Sequence, residues 1–362
     1  MSCAKLLRFA IALVFLLLLL PCLRADAQDR NVDAHDPVIG KDGDTYYLFY
    51  TGRGIRVKSS KDLMSWKDEP AVFKETPEWV MKVVPAFGGD IWAPDVFHHN
   101  GTYYLYYSVS AFGRNTSAIG VATNTTLDAD NPDYAWQDHG LVVQSVPGRD
   151  MWNAIDPNVT VDEKGVPWMT FGSFWMGIKL VRLSPDLTSI ATGADQEWHT
   201  IASRQRDFAV DERDAGDAAN PELDYDSLYS TEQLEQNRSM QNGAIEAPFL
   251  FRKEGTWYLF ASWDRCCRGV DSTYKIIVGR SQDIRGPYLD KDGKRLVRGG
   301  GSLVAVGDGK NWAATGHPAA YTFEGTDYLV FHAYDLKDRG RSKLRIREIQ
   351  WQDGWPTIDL GE

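Results

Sequence analysis

The sequence predicts an all-β protein folded as a five-bladed β-propeller. Three observations support this prediction: an aromatic strand pattern that occurs five times, a proline at a nearly constant distance before each copy, and a further apolar segment after each copy. Repeating units of several antiparallel strands at this length are typical of propeller blades and too long for a solenoid repeat. A two-sheet sandwich is the alternative, because strand patterns alone do not show how sheets close.

The aromatic segment of each unit opens on Gly or Asp and continues with large side chains. The five segments are 44–50, 101–107, 165–171, 255–261 and 325–331. Large aromatic and β-branched residues after a turn residue are typical of the second strand of a hairpin. The opening turn residues are 57, 64, 90 and 70 residues apart. These spacings spread the units over the chain and predict a single domain covering residues 28–362.

The first and third strands of each unit flank the aromatic segment. A short apolar segment begins at a proline nine to eleven residues before the aromatic strand: Pro37, Pro94, Pro157, Pro248 and Pro318. The third strands are predicted at 55–60, 118–122, 178–182, 275–279 and 344–348. Strand, turn and strand together account for the constant offset.

The amino-terminal sequence predicts a signal peptide over residues 1–27. Lys5 and Arg8 precede an apolar run that ends at Leu20, and small residues follow it up to Ala27. The run is shorter than the roughly 20 residues that span a bilayer. We therefore expect a secreted protein that begins near Gln28 and is not embedded in a membrane.

The amino-acid composition indicates which kind of molecule the protein binds. With 39 Lys and Arg against 50 Asp and Glu, the formal net charge is -11, which argues against a nucleic-acid partner. The 13 Trp, 16 Tyr and 15 Phe suit pleated sheets and a sugar-binding cleft.

Two local features leave alternatives open. Residues 207–236 carry ten Asp and Glu against the single Arg213, so this insertion is either a solvated surface loop or a lid over a cleft. After removal of the leader, Cys266 and Cys267 are the remaining cysteines. They form either a vicinal disulfide or two free thiols.

The residues before the five prolines carry the chemistry. Alignment on the prolines places Asp36, Asp156 and Glu246 at equivalent or adjacent positions, together with Trp92 and His317. First strands line the channel of a propeller, so these side chains should converge at one end of it. Asp before Pro is also common in turns, but three acids at one level of a shared axis favour a joint active site.

Such a cluster matches the needs of glycoside hydrolysis. One protonated acid must deliver a proton to the leaving oxygen, and one ionised acid must activate water or attack carbon. A third carboxylate raises the proton affinity of its neighbour.

The motifs around these acids resemble glycoside hydrolase family 43, most closely its endo-1,5-α-L-arabinanases. The matching stretches are 35–37, 92–95, 110–120, 152–158, 244–248, 266–269 and 316–318, and the resemblance runs from about residue 33 to 351. It implies a five-bladed propeller and an inverting mechanism. By position, Asp36 corresponds to the general base, Glu246 to the general acid and Asp156 to the modulator of the acid's pKa and orientation.

The resemblance also implies a cofactor. His317 matches a histidine near a central ion, usually calcium, which is largely coordinated by water in that family. The alternative for His317 is a hydrogen-bonding residue of the channel.

We further expect four side chains to contact sugar. Trp92 and Phe112 are candidates to contact furanose rings, with core packing as the alternative for both. Asn153 and Ser173 are candidate hydrogen-bonding partners of the substrate.

The expected activity is internal cleavage of α-1,5-linked arabinan by a monomer. The acidic insertion and Pro318 depart from the family pattern, which leaves open whether the enzyme attacks internally or from a chain end. The alternatives are an exo-acting α-L-arabinofuranosidase or a β-xylosidase on the same scaffold, a retaining fructan-cleaving enzyme, and a non-catalytic sugar-binding propeller.

Overall fold

Five antiparallel sheets follow one another along the chain. The computed structural model describes residues 32–204 and 244–361; the predicted signal peptide over 1–27 and the predicted insertion over 207–236 lie outside these ranges. The strands of blades 1 to 3 are β1 Val38–Asp42, β2 Thr45–Tyr50, β3 Arg56–Ser60, β4 Lys67–Glu69, β5 Trp92–His99, β6 Thr102–Ser110, β7 Ser117–Asn124, β8 Gln137–Ser145, β9 Asn158–Val161, β10 Pro167–Phe171, β11 Ile178–Arg182 and β12 Trp198–Ala202.

Blades 4 and 5 complete the sheets. Their strands are β13 Ile245–Lys253, β14 Thr256–Trp263, β15 Lys275–Ser281, β16 Ser302–Val306, β17 Trp312–Phe323, β18 Thr326–Asp335 and β19 Arg341–Glu348, followed by a hairpin of β20 Gln350–Gln352 and β21 Trp355–Thr357. The helical segments are α1 Val80–Val83 and the 3₁₀ turns Gly193–Asp195, Gly269–Asp271, Leu296–Arg298 and Leu336–Asp338. Among the described helices, none has the length and apolar character needed to cross a bilayer.

The sheets close into a ring, which confirms the propeller and not the sandwich. Successive first strands pack against one another from β1 through β5, β9 and β13 to β17, and β1 also contacts β18. The segment that begins at Val32 runs along β19 as its outer neighbour. Leu344 N–H donates to the carbonyl of Val32 (2.9 Å), and Ala34 N–H donates to the carbonyl of Ser342 (3.2 Å). Both ends of the described chain therefore meet in blade 5.

The predicted aromatic segments form the second strands β2, β6, β10, β14 and β18. One ring from each is almost completely buried: Phe49, Tyr107, Phe171, Phe260 and Phe331. Burial of such a side chain contributes about 1.5–3 kcal/mol, so these five aromatic residues stabilise the core between the sheets. The predicted third strands coincide with β3, β7, β11, β15 and β19.

The residue before each of the five prolines has a left-handed backbone. The φ angle is 54° at Asp36, 44° at Ala93, 59° at Asp156, 52° at Ala247 and 57° at His317. Residues other than glycine adopt this conformation rarely and at a cost in free energy. In blades 2, 4 and 5 the register between the first and second strands shifts at this point. The same strained kink therefore recurs in every blade at the level where the predicted site residues lie.

Candidate active site

A cavity of about 450 Å³ opens at the centre of the ring. All eight predicted site residues line it: Asp36, Trp92, Phe112, Asn153, Asp156, Ser173, Glu246 and His317. Its volume lies in the usual range of ligand sites. The equivalence of the five first strands therefore brings together side chains from all five blades.

Asp36 is held by three neighbours. Its Oδ2 accepts hydrogen bonds from the Thr51 hydroxyl (2.6 Å) and from His35 Nδ1 (2.8 Å), and its Oδ1 lies 3.0 Å from His317 Nδ1. Burial alone would raise the pKa of Asp36, but His35 and His317 outweigh burial and hold the pKa well below its ordinary value. Asp36 is therefore ionised.

Glu246 has the opposite electrostatic character. Burial raises the pKa of its carboxyl group above the ordinary value, and hydrogen bonds from Ser173 and Tyr274 oppose this only in part. The Ser173 hydroxyl donates to Glu246 Oε2 at 2.7 Å. Tyr274 packs so closely on Gly316 that a Cβ at that position would lie 1.8 Å from the ring. Glycine at 316 thus gives the tyrosine room to reach the glutamate.

Asp156 connects blades 3 and 4. Its Oδ2 accepts the N–H of Ala247, the residue after Glu246, at 3.1 Å. Burial raises the pKa of Asp156 well above its ordinary value, and although His317 opposes this, the charges of Glu246 and Asp36 add to the increase. A carboxyl group in this position responds to the protonation state of Glu246 and orients its strand.

A glycine explains why Asp156 has this partner. In each of the other four blades, one side chain accepts a hydrogen bond from the backbone N–H of the left-handed residue in the next blade. This side chain lies seven residues after the Gly or Asp that opens the aromatic segment. These pairs are Thr51 with Ala93, Ser108 with Asp156, Ser262 with His317, and His332 with Asp36. In blade 3 the equivalent residue is Gly172, which has no side chain to offer. The N–H of Ala247 therefore turns to the carboxylate of Asp156.

His317 lies between the acids. Burial lowers the pKa of its imidazole, but the charge of Asp36 outweighs burial and raises the pKa to about 9. Since Nδ1 faces Asp36, only Nε2 is left for a metal, and at this pKa Nε2 carries a proton near neutral pH that an ion would have to displace. Calcium takes six to eight oxygen ligands, so water would supply almost all the ligands of an ion at this place.

The candidate sugar contacts differ in their surroundings. Phe112 is 74% exposed at the cavity, which removes core packing as its role, and Trp92 is half-buried. Asn153 is 4% exposed, and its Oδ1 is buried with no hydrogen-bond partner among the described residues. Asn153 lines the cavity, so a rotation of its side chain that exposes Oδ1 would let this atom accept from a sugar hydroxyl and relieve the cost of an unpaired buried acceptor. The Ser173 hydroxyl, in contrast, already donates to Glu246.

Sequence reasoning assigned no role to several residues that complete the site. His35 and Thr51 hold Asp36, and Tyr274 contacts Glu246. The position of His35 directly before Asp36 was a usable signal, whereas nothing in the sequence pointed to Tyr274. His35, Asp36 and His332 are also close enough to share a metal, but their facing atoms already hydrogen-bond to one another or to Tyr334.

Cys266 and Cys267 form a vicinal disulfide at the edge of the cavity. This finding resolves the alternative that the sequence left open between a bridge and two thiols. Both residues line the cavity, and Cys267 is exposed.

The arrangement brings a carboxyl group with a lowered pKa, Asp36, and one with a raised pKa, Glu246, into a single cavity. Two titratable groups whose pKa values are displaced in opposite directions are suited to divide base and acid roles. The geometry thus favours an acid–base hydrolytic reaction on a ligand that reaches both groups.

Comparison with known proteins agrees with this chemistry. One similar relative is the extracellular exo-α-(1→5)-L-arabinofuranosidase ArbA of Cellvibrio japonicus (strain Ueda107), which is 48% identical over 346 residues and covers 95% of this chain and 92% of the relative. Another is the extracellular endo-α-(1→5)-L-arabinanase 1 of Bacillus subtilis (strain 168), 40% identical over 327 residues, with 89% and 87% covered.

A solved structure is similar over nearly the same extent. The Cellvibrio cellulosa α-L-arabinanase complexed with arabinohexaose superposes with a TM-score of 0.79 at 48% identity, covering 91% of this chain and 96% of that one. The sequence profile of the glycosyl hydrolases family 43 matches residues 30–215 and 216–356. Together with the five blades and the central carboxylates, these matches show that the chain belongs to glycosyl hydrolase family 43.

Proposed function

We propose that this protein hydrolyses α-1,5-linked L-arabinofuranosyl bonds of arabinan with inversion at the anomeric carbon. The observation that carries the proposal is the opposite displacement of two pKa values in one cavity, with Asp36 lowered and Glu246 raised. The names of the similar relatives supply the substrate class, since those proteins act on α-1,5-linked arabinose.

In the proposed mechanism, an arabinan chain lies across the cavity with Trp92 and Phe112 against furanose rings. Glu246 donates its proton to the departing glycosidic oxygen. Asp36 accepts a proton from a water molecule that attacks the anomeric carbon from the opposite face. The carbon–oxygen bond to the leaving sugar breaks as the bond to water forms. Asp156 adjusts the pKa and position of Glu246 through its charge and its contact with Ala247.

Calcium belongs to this proposal as a supporting ion. His317 would contribute its Nε2, and water would complete the coordination. A bound ion would supply positive charge near the carboxylates.

The similar relatives differ in their named mode of attack. The sequence alone favoured internal cleavage, while the relative named as exo-acting is 48% identical and the one named as endo-acting is 40% identical. Because the exo-acting relative is the more similar of the two, we propose attack from a chain end. Internal cleavage is the alternative.

Digestion of debranched linear arabinan tests the substrate and the mode together. Attack from an end yields one short product from the earliest time points, and viscosity falls slowly for each reducing end released. Internal cleavage yields a ladder of intermediate lengths and a rapid fall in viscosity. A protein that binds arabinan but releases no reducing ends, or one that prefers xylo-oligosaccharides, would contradict the proposed substrate. The Asp36→Ala variant serves as the inactive control.

Export is proposed from the predicted signal peptide and from two similar proteins named as extracellular. Amino-terminal sequencing of protein recovered outside the cell should begin near Gln28. Recovery of an intact terminus inside the cell would contradict it.

A further inference from the structure

A chain of hydrogen bonds connects the vicinal disulfide to Asp36. Cys267 N–H donates to the hydroxyl oxygen of Tyr334 (2.9 Å), and this oxygen lies 3.0 Å from His35 Nε2. On its other side, His35 Nδ1 lies 2.8 Å from Asp36 Oδ2. Tyr334 is 3% exposed, so no solvent replaces these contacts.

The direction of each bond follows from one backbone N–H. Asp36 N–H donates to His332 Nδ1 (3.1 Å), so that nitrogen carries no proton and the proton of His332 is on Nε2. His332 is completely buried, and burial holds its pKa well below the ordinary value, which agrees with a neutral ring. His332 Nε2 then donates to Tyr334 (3.2 Å).

The hydroxyl of Tyr334 thereby has one remaining role. Its oxygen accepts from Cys267 N–H and from His332 Nε2, and the Ser272 hydroxyl is a further neighbour that lowers the pKa of Tyr334, as a donor does. These donors leave His35 Nε2 as the acceptor for the proton of Tyr334. His35 consequently carries its proton on Nδ1 and directs it at Asp36. The tautomer of His35 is thus set by Tyr334, as a buried partner commonly sets the tautomer of a functional imidazole.

The disulfide sets the position of the first donor in this chain. The bridge between adjacent residues closes a ring that includes the peptide bond between Cys266 and Cys267, and Cys267 has a left-handed φ of 66°. Its Sγ also lies 3.7 Å from His35 Nε2. Opening the ring frees the backbone that carries the Cys267 N–H.

We propose that the Cys266–Cys267 disulfide, Tyr334 and His35 form a positioning relay that holds the carboxylate of Asp36 for catalysis. None of the three needs to touch the reacting atoms. The inference rests on the proposed function, in which Asp36 is the general base.

Reduction of the bridge tests the relay in the intact protein. Tris(2-carboxyethyl)phosphine and one water convert the disulfide to two thiols and the phosphine to its oxide, and the exposure of Cys267 gives access. The bond from Cys267 N–H to Tyr334 joins two neutral groups, and loss of such a bond corresponds to about a two- to tenfold loss in rate. We expect a fall in kcat of this size, with the larger effect on kcat than on KM. An unchanged kcat after complete reduction, verified by intact mass, would overturn the proposal.

The Tyr334→Phe variant shows whether the disulfide acts through the relay. The kcat of this variant should fall to a similar degree. Reduction of the disulfide in the variant should then lower kcat by less than about twofold further, because the connection is already broken. An equal fall on reduction in wild type and variant would show that the bridge acts by another route and would overturn the proposal. Thermal unfolding and circular dichroism verify that each variant is folded.

Substitutions at His35 separate positioning from packing. His35→Asn retains a donor near the Nδ1 position, whereas His35→Leu does not, so the asparagine should restore about tenfold or more of kcat relative to the leucine. Equal rates for the two variants would contradict the relay.

A comparison of two substrates, together with the Asp36→Ala variant, distinguishes a failure of the relay from a failure of the proposed function. Since water must be activated for every leaving group, losses from the relay should be the same on arabinan and on an aryl α-L-arabinofuranoside. Unequal losses would contradict a base-positioning role. If Asp36→Ala keeps wild-type activity, the proposed function itself is wrong; if it is inactive while reduction has no effect, only the relay is wrong.

Discussion

The hydroxyl of Ser173 donates a 2.7 Å hydrogen bond to Oε2 of Glu246, and the same two residues face each other in a backbone bridge between blades 3 and 4. The hydrogen bond favours the ionised form of Glu246 and so opposes the effect of burial on its pKa. The proposed general acid is therefore positioned, and its pKa adjusted, by a residue that the sequence suggested only as a contact to the sugar.

Ser173→Ala should move the alkaline limb of the kcat/KM profile to higher pH. The active form requires Glu246 protonated, and removal of a hydrogen bond to the carboxylate raises the pKa of Glu246 further. Ser173→Thr keeps the hydroxyl and should keep the wild-type profile. A shift of the alkaline limb to lower pH in the alanine variant would contradict the assignment of Glu246 as the acid.

In the wild type, the acidic limb should lie below the ordinary aspartate pKa. Activity requires Asp36 ionised, and its pKa is well below the ordinary value, so activity is lost only when the pH falls through that lowered pKa. Thr51→Val removes one donor to Asp36 and should move this limb to higher pH, while Thr51→Ser should not. Measurement of kcat/KM across acidic pH checks both variants; a limb unaffected by valine argues against Asp36 as the base.

Glu246→Gln should lower kcat on arabinan by about 10²–10⁴-fold, because the departing oxygen loses its proton donor. The loss should be smaller on an aryl α-L-arabinofuranoside whose leaving group needs no proton. Initial rates on the two substrates, with Asp36→Asn as the comparison, measure the difference. Equal losses on both substrates would place the acid elsewhere.

Asn153→Ala should weaken substrate binding without destabilising the protein. The buried Oδ1 of Asn153 has no partner among the described residues, so its removal leaves no donor of the protein unpaired. Loss of one hydrogen bond to substrate predicts a rise in KM of about two- to tenfold. Thermal unfolding of the same variant should give an unchanged or higher Tm. A lower Tm with an unchanged KM would mean that Asn153 serves the fold.

Calcium should stabilise the wild-type protein and not a His317→Ala variant. A ligand that binds only the folded state adds about 2.7 kcal/mol at one hundred times its Kd, which appears as a rise in Tm after chelation and re-addition of the ion. His317→Gln is the matched variant that keeps a polar side chain. If millimolar calcium leaves the Tm of chelator-treated wild type unchanged, no ion is bound at this site.

The sequence was sufficient to predict the fold and the convergence of three carboxyl groups in one cavity, and particular residues show why. Five copies of one strand pattern require five similar sheets, and the ring turns equivalent positions before Pro37, Pro157 and Pro248 into neighbours. Asp36, Asp156 and Glu246 could therefore be grouped although they are far apart in the chain. Their roles came from the resemblance and not from the spacing.

The remaining features depend on contacts that no local pattern encodes. Tyr334 reaches His35 across 299 residues, and Tyr274 reaches Glu246 because Gly316 lacks a side chain. A residue before proline ordinarily favours extended backbone, but the five residues here are left-handed. Each is held by a hydrogen bond from its N–H to a side chain of the preceding blade. Only the tertiary structure shows that Gly172 offers no acceptor to the N–H of Ala247, which donates to Asp156 instead.

The anomeric configuration of the first product tests the central claim most directly. Proton NMR during the first minutes of hydrolysis of an α-L-arabinofuranosyl substrate distinguishes the two anomers before they interconvert. Inversion requires a base and an acid on opposite faces of the sugar, roughly 6.5–9.5 Å apart. If Asp36 and Glu246 fill these roles, the first product should be the β anomer. Initial release of the α anomer would show retention and would contradict the proposed mechanism.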